Sequence, residues 1–233
     1  MKRFIVLLAT LVMVALVPTA VAASGSLFGG ATKSGSKVRL VSNTATPTSG
    51  INFTHTRVTT FSSLTRLATK FNVTDDGCGG GSPRFQLNFG NQNVFVYLGP
   101  SPTFTGCTLN TLVDSGNLVG NNDACRWDTS QIVPGTQCST YTAALALLGT
   151  RTVTGIQLVV DSGSTFADKE QTVKVCDIRI NHARLFPCSN EKKVTLCHQG
   201  HTIVVAQSAV SAHLRIGDKL GACSHAHKKG KNG

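Results

Sequence analysis

From Val38 onward the apolar residues of this chain fall at alternate positions in short runs. Val38 and Leu40, Ile51 and Phe53, then Leu67, Phe71 and Val73 with Thr69 among them, open the series. Phe85, Leu87 and Phe89, then Val94, Val96 and Leu98, continue it. The same period returns over residues 153–160 and 173–180, where Val and Ile predominate. A period of two places alternate side chains on one face of a strand, so each run predicts a strand with one apolar face. Gly-, Asn-, Asp-, Pro- and Ser-rich stretches separate the runs and read as turns. Many short strands with little helix predict a mainly β fold, an antiparallel β-sandwich of jelly-roll-like form over residues 37–188. The Ala- and Leu-rich stretch 139–149 predicts one short helix, with Ser139 or Thr140 as N-cap and Gly149 to end it.

The pattern changes at both ends. Lys2 and Arg3 precede an apolar run from Phe4 to about Val17, and Ala20, Ala22 and Ala23 supply small residues for cleavage. Residues 1–23 therefore read as a secretory signal peptide. Residues 24–36, rich in Gly and Ser, read as a flexible linker. After Pro187 a polar stretch begins, and residues 189–223 follow a plan of their own. Val194–Leu196 and Thr202–Val205 predict two short strands turning at Gln199-Gly200-His201, and Ser208–Leu214 predicts one or two helical turns. Residues 224–233 read as a disordered basic tail.

The chain has 233 residues and eight cysteines, all of them beyond the signal segment. An even number of cysteines in an exported chain reads as four disulfides. Proximity in sequence favours Cys78–Cys107, Cys125–Cys138, Cys176–Cys188 and Cys197–Cys223. No later stretch has the ~20 apolar residues a membrane span needs. The expectation is a secreted or cell-surface protein that does not span the membrane. The formal charge of +11 falls to about +9 without Lys2 and Arg3. The basic residues are scattered and not interleaved with aromatics, so no nucleic-acid partner is expected.

The densest chemistry lies near the C-terminus. Lys193-Val194-Thr195-Leu196-Cys197-His198, Thr202-Ile203-Val204-Val205, Ala209-Val210-Ser211-Ala212-His213-Leu214, Gly217-Asp218 and Leu220-Gly221-Ala222-Cys223 stand in order. This resembles a short Cys-His…Ala-His-Leu-x-x-Gly-Asp…Cys module found at the ends of many exported bacterial proteins. Many members carry a second His where this chain has Ile216. About thirty residues bury too little to fold unaided, so a Cys197–Cys223 staple or a metal is called for. His198, His213 and Asp218 (with His201 as a further donor) are candidate Zn²⁺ ligands. The alternative is that the two histidines hydrogen-bond within a stapled core and Asp218 braces the turn at Gly217.

Residues 152–181 resemble the closing strands of jelly-roll, carbohydrate-binding-module-like domains, through Thr152–Gly163 and the run Val173-Lys174-Val175-Cys176-Asp177-Ile178-Arg179-Ile180. The resemblance implies a structural Ca²⁺ candidate at Asp177, with pairing to Arg179 or Arg84 as the alternative. Arg126-Trp127-Asp128 holds the single Trp. An aromatic face with Arg or Asp beside it suits sugar hydroxyls, so these three are the candidate ligand contacts; core placement of Trp127 is the alternative. The only glutamates are Glu170 and Glu191, and neither a Gly-x-Ser-x-Gly elbow nor a His-Glu-x-x-His run occurs. No enzyme activity is expected. The functional expectation is a secreted, non-catalytic binding protein for carbohydrate or a cell-envelope glycan. The alternative is a structural or adhesive envelope protein whose C-terminal module binds protein partners or metal.

Overall fold

The period-two runs become strands, and their pairing rolls the chain into a double sheet. The computed structural model describes residues 21–163, 166–188 and 192–223. The expected signal peptide (save its last three residues) and the expected disordered tail lie outside the described residues. In chain order come β1 (Ser24–Phe28), β2 (Thr32–Ser34), β3 (Lys37–Ser42), β4 (Thr48–Thr54) and β5 (Leu67–Asp75). There follow β6 (Arg84–Phe89), β7 (Gln92–Tyr97), β8 (Val113–Asp114), β9 (Trp127–Asp128) and helix α1 (Tyr141–Leu148). β10 (Gly155–Asp161), β11 (Gln171–Ile180) and β12 (Ala183–Leu185) close the main body. The C-terminal segment holds β13 (Lys193–His198), β14 (His201–Ala206), α2 (Val210–Arg215) and β15 (Lys219–Leu220).

One sheet runs β1-β4-β10-β6-β7-β9 and the other β2-β3-β11-β5-β8, with β12 beside β11. Eight strands, β3 to β8 with β10 and β11, form a nested set. The innermost pair is β6–β7, then β5–β8, then β4–β10, and the outermost is β3–β11. A long hairpin rolled on itself in this way is a jelly roll. Its tip is the two-residue turn Gly90-Asn91, where Gly90 at φ 72° supplies the first position of a hairpin turn. The mainly antiparallel β fold is therefore as the alternation predicts.

The inward positions form one core: Val38, Leu40, Ile51, Phe71, Phe85, Leu87, Val94, Val96, Leu158, Val173 and Val175 are all essentially buried. Helix α1 closes one end. Thr140 is its N-cap, accepting a hydrogen bond from Ala143 N at 3.2 Å, and Ala144 and Leu148 face the core.

Residues 24–36 are not a linker. Ser24–Phe28 pair with β4 from Ser24↔Thr54 to Phe28↔Gly50, and Thr32–Ser34 pair with β3. Small residues suit this edge: a Cβ on Gly25 would come within 2.8 Å of the Phe186 ring. The composition signals flexibility, while the backbone hydrogen bonds and the close approach impose order.

The disulfides are Cys78–Cys107, Cys125–Cys138, Cys176–Cys188 and Cys197–Cys223, and none of the described cysteines is free. Four bridges fit an oxidising compartment. No described helix is long and apolar enough to cross a membrane. The C-terminal strands form a separate three-stranded sheet, β14-β13-β15, with β13 tied by Cys197 to Cys223 just past β15.

Candidate functional site

The Arg126-Trp127-Asp128 trio is structural. Trp127 is fully buried, and its indole meets Phe61 edge-on at 5.5 Å and Tyr141 at 5.3 Å. No face remains for a sugar to stack on. Arg126 donates to the Tyr97 and Gly99 carbonyls and to the Asp123 carboxylate, and its guanidinium lies 4.7 Å from the Phe104 ring centre. Asp128 accepts from the Tyr97 hydroxyl at 2.6 Å and from Ser130 N. Burial first, then this hydrogen bond, push the Tyr97 phenol above its ordinary range. The trio locks β9 beside β7 and does not reach solvent as a contact surface.

Asp177 sits in a bulge of β11, where register shifts between Cys176 and Arg179 and its φ is 49°. The bulge re-aims the side chain. One oxygen meets Arg184 Nε at 2.5 Å and the other Arg179 Nη2 at 3.2 Å. Burial pushes its carboxyl up, but the hydrogen bonds from Arg184 and Arg179 outweigh this and hold it below the usual range. Both oxygens face guanidinium cations, a setting that repels Ca²⁺, so the pairing with Arg179 holds in place of the calcium expectation.

His198, His213 and Asp218 do converge. His198 ends β13, His213 lies in α2, and Asp218 follows the turn at Gly217, whose φ of 96° suits glycine. His198 Nδ1 lies 2.8 Å from both Asp218 oxygens, and His213 Nδ1 lies 2.7 Å from Asp218 Oδ2. The rings stand edge to face at 5.7 Å. The Asp218 side chain is 4% exposed, while those of His198 and His213 are 31% and 26% exposed. Burial pushes the Asp218 carboxyl up, yet the hydrogen bonds from His213 and His198 bring it below its ordinary value.

A second feature lies on the outer face of the β1-β4-β10-β6-β7 sheet. Asn52, Gln157, Gln86 and Phe95 occupy one register row across four strands, with Ser26 extending it onto β1. At about 4.8 Å per strand, that row spans roughly 19 Å. The amides are joined: Gln157 Nε2 donates to Asn52 Oδ1 at 2.5 Å and Gln86 Nε2 to Gln157 Oε1 at 2.8 Å. Gln86 also reaches Asn88 Oδ1 at 3.3 Å. In the neighbouring row, Phe28 packs over Gly50, while Arg84 stacks on Phe95 at 4.6 Å and pairs with Asp161 at 3.2 Å. All the amides are half-buried. The opposite sheet is ordinary by contrast, its outer row carrying Arg39, Lys174 and Asn72.

The amide row was legible as a pattern. Asn52 sits between Ile51 and Phe53, Gln86 between Phe85 and Leu87, and Gln157 between Ile156 and Leu158. The signal was that the polar partners in these alternating runs are carboxamides rather than the mixed charges usual on solvent faces. Aligning them into one row needs the strand order.

The fold and its outer face define a disulfide-braced jelly-roll sandwich with a hydrogen-bonded amide surface. No protein-family model matches the chain, and no significant match is found among curated proteins or solved structures.

Proposed function

We propose that this is a secreted, non-catalytic glycan-binding protein whose ligand lies across the Asn52–Gln157–Gln86 row. The observation that carries the reading is the row itself: linked carboxamides on a sheet face, ended by Phe95 and flanked by Phe28. A carboxamide both donates and accepts, as a sugar hydroxyl does, so one row can serve successive hydroxyls. The amides are already held by one another, so little rotamer freedom is left to lose on binding. Phe28 and Phe95 add apolar ring surface for the C–H faces of a sugar. The residues proposed for this role replace the Arg126, Trp127 and Asp128 contacts, and the ligand class remains carbohydrate or cell-envelope glycan.

The test is a glycan-array screen of the chain without its signal segment, with and without Ca²⁺. Retention of at least one glycan class is expected. Gln157→Ala and Phe95→Ala should each weaken that binding about 5- to 30-fold, the range for losing one or two kcal/mol of hydrogen bonding or stacking. Silence across the array, or variants that bind like the parent, would overturn the assignment and favour the structural envelope role.

A further inference from the structure

We propose that the C-terminal module binds one divalent first-row transition ion of the Zn²⁺ or Cu²⁺ kind through His198 Nδ1, His213 Nδ1 and the Asp218 carboxylate. The inference is independent of the glycan reading, since the amide row and this cluster share no residue.

Three observations carry it. First, the donors come from strand β13, helix α2 and the turn before β15, yet their ligand atoms lie within 4.8 Å of one another. Chain proximity alone does not explain this: β13 and α2 are brought together by the β13–β14 hairpin and by the Cys197–Cys223 bridge. Second, the spacing is near what an ion needs. Donors held at ~2.0–2.1 Å around a tetrahedral ion sit roughly 3.3 Å apart. The observed 2.7–2.8 Å separations must therefore open by about half an ångström. Asp218 is fixed by burial, whereas both imidazoles are partly exposed and free to make that small adjustment.

Third, the donor set selects the metal. The disulfide removes both thiolates of the module, leaving two imidazoles and one carboxylate. Such N,N,O donors suit Zn²⁺ and Cu²⁺ and do not suit Ca²⁺ or Mg²⁺, which take oxygen ligands. On binding, each Nδ1 gives up the proton it shares with Asp218, and the imidazole ligates as its Nε2–H tautomer. Three protein donors leave the fourth position of a tetrahedral ion to water or a partner group. An ion here also joins a strand, a helix and a turn of a module too small for a large core.

The experiment uses the full processed chain with tail His225 and His227 replaced by Asn, so that the tail offers no adventitious chelation. Equilibrium dialysis against micromolar Zn²⁺ should leave close to one ion per chain. His213→Gln or Asp218→Asn should lower the affinity at least tenfold. In the unsubstituted chain, a Zn²⁺ titration followed by imidazole ¹⁵N NMR should shift Nδ1 of His198 and His213 saturably. That reading does not depend on any variant folding. Co²⁺ should give visible bands of tetrahedral N/O ligation without a sulfur charge-transfer band. Absence of uptake, uptake unchanged in Asp218→Asn, or shifts confined to other histidines would overturn the proposal.

Discussion

Asp177 shows what sets a side chain's role at the scale of one residue. Its carboxyl is held by Arg184 and Arg179 below its ordinary value, so the folded state favours the ionised form. A carboxylate whose folded pKa lies below the unfolded ~3.9 stabilises the fold above that value, and the contribution disappears as pH falls through the folded pKa. The melting temperature should accordingly fall from about pH 5 toward pH 2. Asp177→Asn should melt lower near neutrality and show a shallower slope, measured by thermal denaturation across that range; an unchanged slope would remove Asp177 from the account. The sequence pointed to Arg179 or Arg84 as partner. Arg179 does pair, but Arg84 turns to Asp161, and neither Arg184 nor the bulge that presents Asp177 to Arg179 and Arg184 was foreseen. Trp127 misled for a related reason. Its neighbours Arg126 and Asp128 have the composition of a sugar contact, and only the enclosure by Phe61 and Tyr141 shows otherwise. Residue type is visible in a sequence; burial of a residue in a two-residue strand leaves no periodicity to read.

Among the elements, strands were legible and edges were not. The long alternating runs became β3 to β7, β10 and β11 because each has one apolar face to hide. β1 is different: Ser-Gly-Ser-Leu-Phe has too little alternation, and its order comes from hydrogen bonds to β4. The same edge explains Gly50. A Cβ there would collide with the Leu158 carbonyl and come within 2.6 Å of the Phe28 ring. Gly50→Ala should cost about 1–3 kcal/mol through overpacking, read as a lower urea midpoint at unchanged slope. An unaffected midpoint would mean that Phe28 does not pack over the sheet as described. The amide row belongs to this scale too. Its residues were visible one strand at a time, but their alignment depends on the pairings of β4 with β10 and β10 with β6, far apart in sequence.

For the whole molecule, the fold class followed from patterning while the strand order did not. Alternation says that strands exist, and a rolled hairpin is decided by which distant strands meet. The separate C-terminal sheet has a consequence for unfolding. Its 26-residue separation between Cys197 and Cys223 makes the bridge worth about 3–4 kcal/mol, a large share of what so small a unit has. Replacing both cysteines by Ser should therefore make residues 192–223 susceptible to proteolysis while the main thermal transition stays within a few degrees. A main transition that collapses with the variant would show the two parts to be one cooperative unit.

The position of β11 reaches beyond stability. The strand lies in the middle of its sheet, between β3 and β5, although it is the last long strand of the sandwich to be made. A chain that stops before residue 171 has two sheet edges facing an empty slot and no means of closing the roll. Closing the roll thus waits on the arrival of a late segment. The architecture itself acts as a timer, set by how late in the chain that segment falls.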